Sequence, residues 1–373
     1  MAVPTDQDFH WMAHALRLAR QGLLTTTPNP RVGCVIVKNN QMIGAGAHLK
    51  AGEPHAEVHA LRQAGAQVEG ADVYVTLEPC SHHGRTPPCV EAVITAKPRR
   101  VIIAMQDPNP LVAGRGVAAL RALGIEVVVG VLENEARILN QGFISRMTRG
   151  LPYVRTKIAA SLDGRTALNN GKSQWITGEQ ARLDVQQWRA QSCAIITGIG
   201  TVLADNPSMT VRLENTARQP LRVIVDSRLQ TPADCKMLDA SILQHSPVLI
   251  AYAYDQHQRA DQLKAAGAEL ILLADSADKV DLKRLLEVLA QRGINEVLVE
   301  AGQGLNGALL HAGLIDEFVF YYAPKLMGDV AKAMFAMPEL TEMQQAVDLQ
   351  VLDVRLVGPD IRLQAKPMVK TTP

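Results

Sequence analysis

Residues 54–89 constrain this chain more than any other stretch. They begin Pro54-His55-Ala56-Glu57 and end Glu78-Pro79-Cys80, a polar run Ser81-His82-His83-Gly84-Arg85-Thr86-Pro87-Pro88, and Cys89. One imidazole and two thiolates suit Zn²⁺, and three protein ligands leave a fourth position open for water, as in catalytic rather than structural zinc sites. Glu57, two residues after His55, would face such a water without having to ligate. Singly, Cys80 and Cys89 read as buried apolar thiols and His55 as a surface or helix-capping histidine. Their order and spacing together carry the metal reading. The competing closed site needs His82 or His83 as a fourth ligand and leaves Glu57 without a role.

The pattern His-x-Glu followed by Pro-Cys and a second Cys is that of the zinc deaminases, although their Cys-x-x-Cys is widened here, between Cys80 and Cys89. It predicts hydrolytic deamination, with Glu57 carrying the proton.

The flanking sequence predicts an α/β layered domain around this site. Helices are expected at 8–21, 55–64, 90–96, 117–123 and 133–143, and strands at 32–37, 43–48, 73–77, 101–105 and 126–131. Pro54 suits a helix start, which would aim N–H groups and the positive dipole end at the metal site. A polar stretch with Gly and Pro, 146–152, marks the boundary, giving domains 1–147 and 148–373. A chain of 373 residues is long enough for two.

The second half starts a fresh alternation. Strands are expected at 153–159, 194–197, 221–226, 248–252, 268–273, 296–300 and 318–323, with a final antiparallel pair at 351–357 and 361–365. Helices are expected at 179–191, 260–266 and 282–292, and another after 301–307. That last junction reads Ala301-Gly302-Gln303-Gly304-Leu305-Asn306-Gly307, a G-x-G-x-x-G between strand and helix. Such glycines let a backbone approach a diphosphate at a helix N-terminus. The acidic residue expected about 20 positions later is missing, and the motif lies late in its domain, so an ordinary glycine-rich turn remains the alternative. Polar clusters end other strands: 161–165, 171–177, 201–207 and 210–212. Each alone is a turn or cap, but together they gather where open α/β sheets bind ligands.

Composition narrows the partners. A net charge of +1 argues against a nucleic-acid face, which needs clustered Lys and Arg. Five cysteines at irregular spacing predict reduced thiols and a cytoplasmic protein rather than a disulfide framework. No apolar core is present in residues 1–9 and no run nears about 18 apolar residues, so neither signal peptide nor membrane span is expected.

Over nearly its whole length the chain resembles the bifunctional riboflavin-biosynthesis deaminase/reductases. The resemblance rests on Thr27-Pro28-Asn29-Pro30, Pro54 to Glu57, Glu78 to Cys89, Ser161-Leu162-Asp163-Gly164-Arg165, Ser173-Gln174-Trp175-Ile176-Thr177 and Val299-Glu300-Ala301-Gly302. The long Cys80 to Cys89 insert fits that family and not the nucleoside or tRNA deaminases. The resemblance implies a cytidine-deaminase-like three-layer first domain and a dihydrofolate-reductase-like α/β second domain. It implies two reactions on one small pyrimidine ribosyl phosphate: loss of the C2 amino group, then reduction of ribosyl to ribityl with NADPH. Asn29, His48 and Arg85 would contact the deaminase substrate. NADPH would be held by Ala159, Trp175, Thr201, Asp205, Ser227 and the run Gly302, Gln303, Gly304, Leu305, Asn306, Gly307 and Ala308. Ser173, Arg189, Met209, Arg212 and Glu300 would contact the reductase substrate, with Arg189 and Arg212 as phosphate partners and Lys157 a charge near the reacting carbon. A homo-oligomer formed through the second domain is also expected. The rival reading is a nucleic-acid or nucleoside deaminase whose second half senses a ligand without turnover.

Overall fold

The structure is a computed structural model describing residues 3–81, 88–110, 112–214, 216–255 and 258–368. The chain forms two compact units that divide between Leu151 and Pro152.

In the first unit the order is α1 (Asp6–Ala19), β1 (Gly33–Lys38), β2 (Gln41–Ala47), α2 (Ala56–Ala64), β3 (Asp72–Leu77), α3 (Cys89–Thr95), β4 (Arg100–Met105), α4 (Arg115–Ala122), β5 (Glu126–Val129), α5 (Glu133–Leu139) and α6 (Gln141–Arg149). The sheet runs β2-β1-β3-β4-β5, with β1 antiparallel to both neighbours and β3, β4 and β5 parallel. Small residues bring helices close on both faces. A side chain at Gly33 would strike the Ala15 carbonyl of α1, and one at Gly46 the Ala56 carbonyl of α2. Gly46 pairs with Cys34, the neighbour of Gly33, so these two helices cover opposite faces because adjacent strand residues alternate. The result is a helix–sheet–helix sandwich whose buried Ala, Val and Ile side chains form one core.

The helix expected at 133–143 is broken at Asn140. Its side chain accepts from the Arg31 backbone N–H (2.8 Å) and donates to the Arg31 carbonyl (3.0 Å). That clamp ends α5, and α6 continues to Arg149, so residues 146–149 are helical.

The second unit contains β6 (Tyr153–Ser161), β7 (Arg165–Ala167), α7 (Glu179–Gln191), β8 (Ala194–Gly198), α8 (Ile199–Asp205), β9 (Leu221–Val225), α9 (Ala240–Leu243), β10 (Val248–Tyr252), α10 (Ala260–Ala265), β11 (Glu269–Leu272), α11 (Leu282–Gln291), β12 (Glu296–Val299), α12 (Gln303–His311), β13 (Glu317–Ala323), β14 (Lys332–Ala333), β15 (Leu349–Val357) and β16 (Asp360–Pro367). Nine strands form one sheet, β11-β10-β9-β8-β12-β6-β13-β16-β15. All neighbours from β11 to β13 are parallel, and β16 and β15 close that edge antiparallel, as expected for the last pair. From β6 the chain proceeds outward through β8, β9, β10 and β11, then returns to insert β12 between β8 and β6. That reversal is a topological switch point, where open α/β sheets leave a ligand crevice at the carboxyl ends of their strands. The sequence did not predict α8, read as a turn or cap cluster, the short α9, or the small β7–β14 pair.

Candidate metal centre and dinucleotide crevice

Three local structures deliver the first site. His55 is the N-cap of α2 in extended conformation, Cys80 follows β3, and Cys89 opens α3. Their ligand atoms all lie within 4.8 Å of one another. His55 Nδ1 is 3.1 Å from Cys89 Sγ and 3.7 Å from Cys80 Sγ. Zinc–ligand bonds of about 2.0 and 2.3 Å at tetrahedral angles separate N and S donors by about 3.6 Å, so this nitrogen-and-two-sulfur set fits Zn²⁺. The Cys89 backbone N–H donates to Cys80 Sγ (3.2 Å). A hydrogen bond from the Cys89 thiol, then His55, draws the Cys80 thiol well below its ordinary value against its burial. A thiolate is the form that binds metal.

Glu57 occupies the first turn of α2 and is only 4% exposed. Its Oε2 is buried without a hydrogen-bond partner among the described residues. Buried polar atoms are normally paired, so an orphan beside a metal-ligand trio marks a group awaiting a reactant. Burial pushes the Glu57 carboxyl up to about 7, opposed by His55.

The expected substrate contacts lie next to this trio. His48 is buried, its ring edge-on to His55 at 5.2 Å between centroids. Asn29 Nδ2 is 3.1 Å from His48 Nε2, and the other ring nitrogen is 3.3 Å from the Pro54 carbonyl. Arg85, His82 and His83 lie outside the described residues. Glu78 was not singled out beyond its place in the motif. It is buried and accepts from the N–H groups of Asp107, Gly114 and Val117, tying the chain before Cys80 to the start of α4.

In the second unit the crevice residues gather around Glu300, which follows β12. Glu300 is buried and takes Arg189 Nη2 on Oε2 at 3.0 Å and Arg189 Nε on Oε1; Lys157 Nζ stands 3.7 Å from Oε2. Burial would raise the Glu300 carboxyl, but Arg189 and Lys157 prevail and hold it at about 2. Burial conversely pushes the Lys157 ammonium down. The two arginines expected at a phosphate have different surroundings. The Arg189 guanidinium also donates to the Thr210 carbonyl (2.9 Å) and meets Met209 Sδ at 3.7 Å, whereas Arg212 is exposed, its backbone N–H donating to Gln186 Oε1 (2.9 Å) and its charge acting on Glu300.

Two glycine turns lie side by side at the carboxyl ends of β8 and β12. Gly302 caps α12, and a side chain at Gly302 or Gly304 would meet nothing within 4 Å, leaving room for a ligand against the backbone. A side chain at Gly198 would sit 3.6 Å from Leu305, so the starts of α8 and α12 are neighbours. Gly198-Ile199-Gly200, a second Gly-x-Gly after a strand, had not been selected from sequence although the pattern is visible there. These open glycines and helix starts suit a dinucleotide diphosphate. The later half of the run serves packing: a side chain at Gly307 would strike the Ala336 carbonyl, and Asn306 Nδ2 donates to the carbonyls of Ala301 and Met334. Ala308 is exposed.

Of the other expected cofactor contacts, Ala159 lies on the same face of β6 as Lys157, Thr201 in the first turn of α8, and Asp205 at its end, 3.5 Å from Ser173 Oγ. Trp175 is 65% exposed with the Arg182 guanidinium 4.6 Å over its ring. Ser227 lies two strands from α12, beyond the end of β9.

Comparison with known proteins fits this two-site geometry. Residues 5–105 match the cytidine and deoxycytidylate deaminase zinc-binding region, and residues 152–363 match the RibD C-terminal domain. The chain is 47% identical to the riboflavin biosynthesis protein RibD of Escherichia coli (strain K12), over 96% of this chain and 98% of that protein. The chain belongs to the RibD family. Solved RibD structures agree: Acinetobacter baumannii RibD (form 1) is 49% identical with a TM-score of 0.88, covering 97% of this chain and 99% of that one. The Thermotoga maritima diaminohydroxyphosphoribosylaminopyrimidine deaminase/5-amino-6-(5-phosphoribosylamino)uracil reductase is 33% identical with a TM-score of 0.86 and the same coverage. As a RibD protein the chain is a bifunctional riboflavin-biosynthesis deaminase and reductase, using zinc in a cytidine-deaminase-like half and NADPH in a dihydrofolate-reductase-like half. The rival with a non-catalytic second half is not favoured. No helix among the described residues is long and apolar enough to cross a membrane.

Proposed function

We propose that the first unit removes the C2 amino group of 2,5-diamino-6-ribosylamino-4(3H)-pyrimidinone 5′-phosphate by hydrolysis, and that the second reduces the product's ribosyl side chain to ribityl. In this reading residues 1–147 carry the first reaction and 148–373 the second. The orphan carboxylate oxygen of Glu57 beside the His55–Cys80–Cys89 trio is the observation that carries it. The names borne by the Thermotoga maritima relative support the substrate and the order of steps.

His55, Cys80 and Cys89 hold the metal, and zinc in such a site supplies Lewis acidity that lowers the pKa of water to about 7. Glu57 takes one proton from the attacking water and passes it to the ring nitrogen. It then relays the second, from the newly added hydroxyl, to the amino group, so that the C–N bond breaks, ammonia leaves and the carbonyl forms. Asn29 and His48, already joined, orient the ring or sugar, and Arg85 meets the phosphate.

In the second reaction NADPH supplies the hydride. Ala159, Trp175, Thr201, Asp205, Ser227 and residues 302–308 position the cofactor. Ser173, Arg189, Met209, Arg212 and Glu300 position the substrate, Arg212 offering the exposed guanidinium. Lys157 places a half-buried ammonium beside them.

The substrate is a small molecule, and the reading includes no nucleic acid, no membrane, a cytoplasmic location and a homo-oligomer. The test is one coupled assay on the diaminopyrimidine phosphate, following ammonia and NADPH absorbance together with metal analysis of the same sample. Ammonia without NADPH consumption would overturn the second half of the reading, and neither would overturn both.

A further inference from the structure

A guanidinium that meets a phosphate gains most when its own backbone is already fixed, because ordering a mobile segment offsets the contact. Arg212 stands in a segment, 208–212, that belongs to no helix or strand. Among the described residues no main-chain partner holds this segment. Side chains from three directions hold it instead.

On α7, Gln186 and Arg189 are three residues apart and so share a face. Gln186 is buried, and its Oε1 accepts from the Arg212 N–H (2.9 Å). The Arg189 guanidinium donates to the Thr210 carbonyl (2.9 Å). Gln219, just before β9, accepts the Val211 N–H on Oε1 (2.8 Å) and donates from Nε2 to the Val211 carbonyl (2.9 Å). One side-chain amide thereby makes the two bonds that a partner strand would make. At the front of the segment Arg222, on β9, donates to the Ser208 carbonyl (3.1 Å). Arg222 is fully buried, and its remaining donors reach the Ser246 carbonyl.

The backbone between these ties is strained. Met209 adopts φ +54° and is buried. A residue other than glycine keeps such a conformation only where its surroundings over-determine it, which is common at ligand clamps. Arg212 itself is exposed, yet its charge acts on Glu300, which sets it at the rim of the reductase crevice.

We propose that Gln186 and Gln219 are positioning residues of the reductase: they grip the backbone at Arg212 and Val211 so that the Arg212 guanidinium is presented to the substrate's phosphate. This rests on the reading that Arg212 meets that phosphate. Neither glutamine need touch the substrate. Losing one frees the base of Arg212, while the reacting carbon and the hydride donor are held by other residues. The phosphate is unchanged by the reduction, so its contact contributes equally to bound substrate and transition state. Weakening it raises KM and spares kcat.

The test gives the full chain the deaminated intermediate with and without its 5′-phosphate and follows NADPH absorbance. With the phosphate, Gln186→Met and Gln219→Met should each raise KM roughly 3- to 10-fold, the weight of a neutral hydrogen bond, at unchanged kcat. Without the phosphate the difference from wild type should vanish. In an Arg212→Met background neither glutamine substitution should add to the loss, and ammonia release by the first unit should be unaffected throughout. Equal losses with and without the phosphate show a merely structural role and overturn the inference, as does no loss at all. Should Gln186→Met fail to fold, Gln219→Met, at a half-buried position, decides on the same criteria. If Arg212→Met keeps the preference for the phosphorylated intermediate, the phosphate reading falls and this inference with it. If Arg212→Met loses that preference while both glutamine variants keep it, only this inference falls.

Discussion

Lys157 and Arg189 flank one buried carboxylate: Glu300 Oε2 lies 3.7 Å from Lys157 Nζ and 3.0 Å from Arg189 Nη2. Two cations on β6 and α7 are thus held at the end of β12 by a single negative charge. Removing that charge leaves a buried guanidinium and a half-buried ammonium uncompensated. Glu300→Gln should destabilise the second unit by about 3–5 kcal/mol and abolish NADPH oxidation while ammonia release persists. Urea unfolding and the coupled assay measure both.

The same carboxylate sets an acid limit. Its folded value of about 2 lies below the usual 4.5, so its stabilisation is fully present above the usual value and is lost as pH falls toward 2. The loss is on the order of 3 kcal/mol. Thermal melts of wild type from pH 5 to pH 2.5 should fall more steeply than those of Glu300→Gln.

Arg189 and Arg212 should separate by experiment. Arg212→Met removes an exposed guanidinium. It should raise the reductase KM roughly 10- to 100-fold with little change in melting temperature or in deaminase KM. Arg189→Met leaves Glu300 buried without its hydrogen-bonded guanidinium, with Lys157 and the more distant charge of Arg212 still acting on it, and should cost about 3 kcal/mol of stability. Equal melting temperatures for the two variants would contradict the buried pair.

Glu57→Gln preserves shape and removes the proton carrier. Zinc content should stay at the wild-type level while ammonia release falls roughly 10²- to 10⁴-fold, and NADPH oxidation of supplied intermediate should be unaffected. Cys80→Ser should instead lose metal and deamination together. A Glu57→Gln enzyme of near wild-type rate would rule out the assigned role.

Two glycines of one motif should behave oppositely. At Gly307 a methyl group would meet the Ala336 carbonyl at 2.0 Å, so Gly307→Ala should destabilise by about 1–3 kcal/mol. At Gly304 the space is open, and Gly304→Ala should unfold like wild type but bind NADPH more weakly. Melting curves with and without NADPH distinguish the two.

What the sequence disclosed was local chemistry. His55, Glu57, Cys80 and Cys89 are few, spaced as a mechanism needs, and each sits at the end of an element whose apolar pattern is plain. Distant pairings left no such trace. Asn140 breaks a helix by bonding Arg31, 109 residues away, and nothing in the local pattern announces that. Arg189 looked like a free phosphate fork because its partner Glu300 is 111 residues distant. The glycine run looked uniform, yet only the position of Ala336 separates a glycine that packs from one that opens a crevice. Strand order likewise depends on which edges meet in space, which alternation cannot specify.

The placement of β12 has a consequence for synthesis. This strand is hydrogen-bonded on both sides, to β8 and to β6, yet it emerges from the ribosome long after both have been made. Until then each presents a bare row of amide and carbonyl groups to its surroundings, an invitation to pair with the wrong neighbour. The nascent second unit should therefore depend on chaperone shelter late in translation, and a message truncated just short of codon 296 should yield an aggregating product and not a smaller folded one.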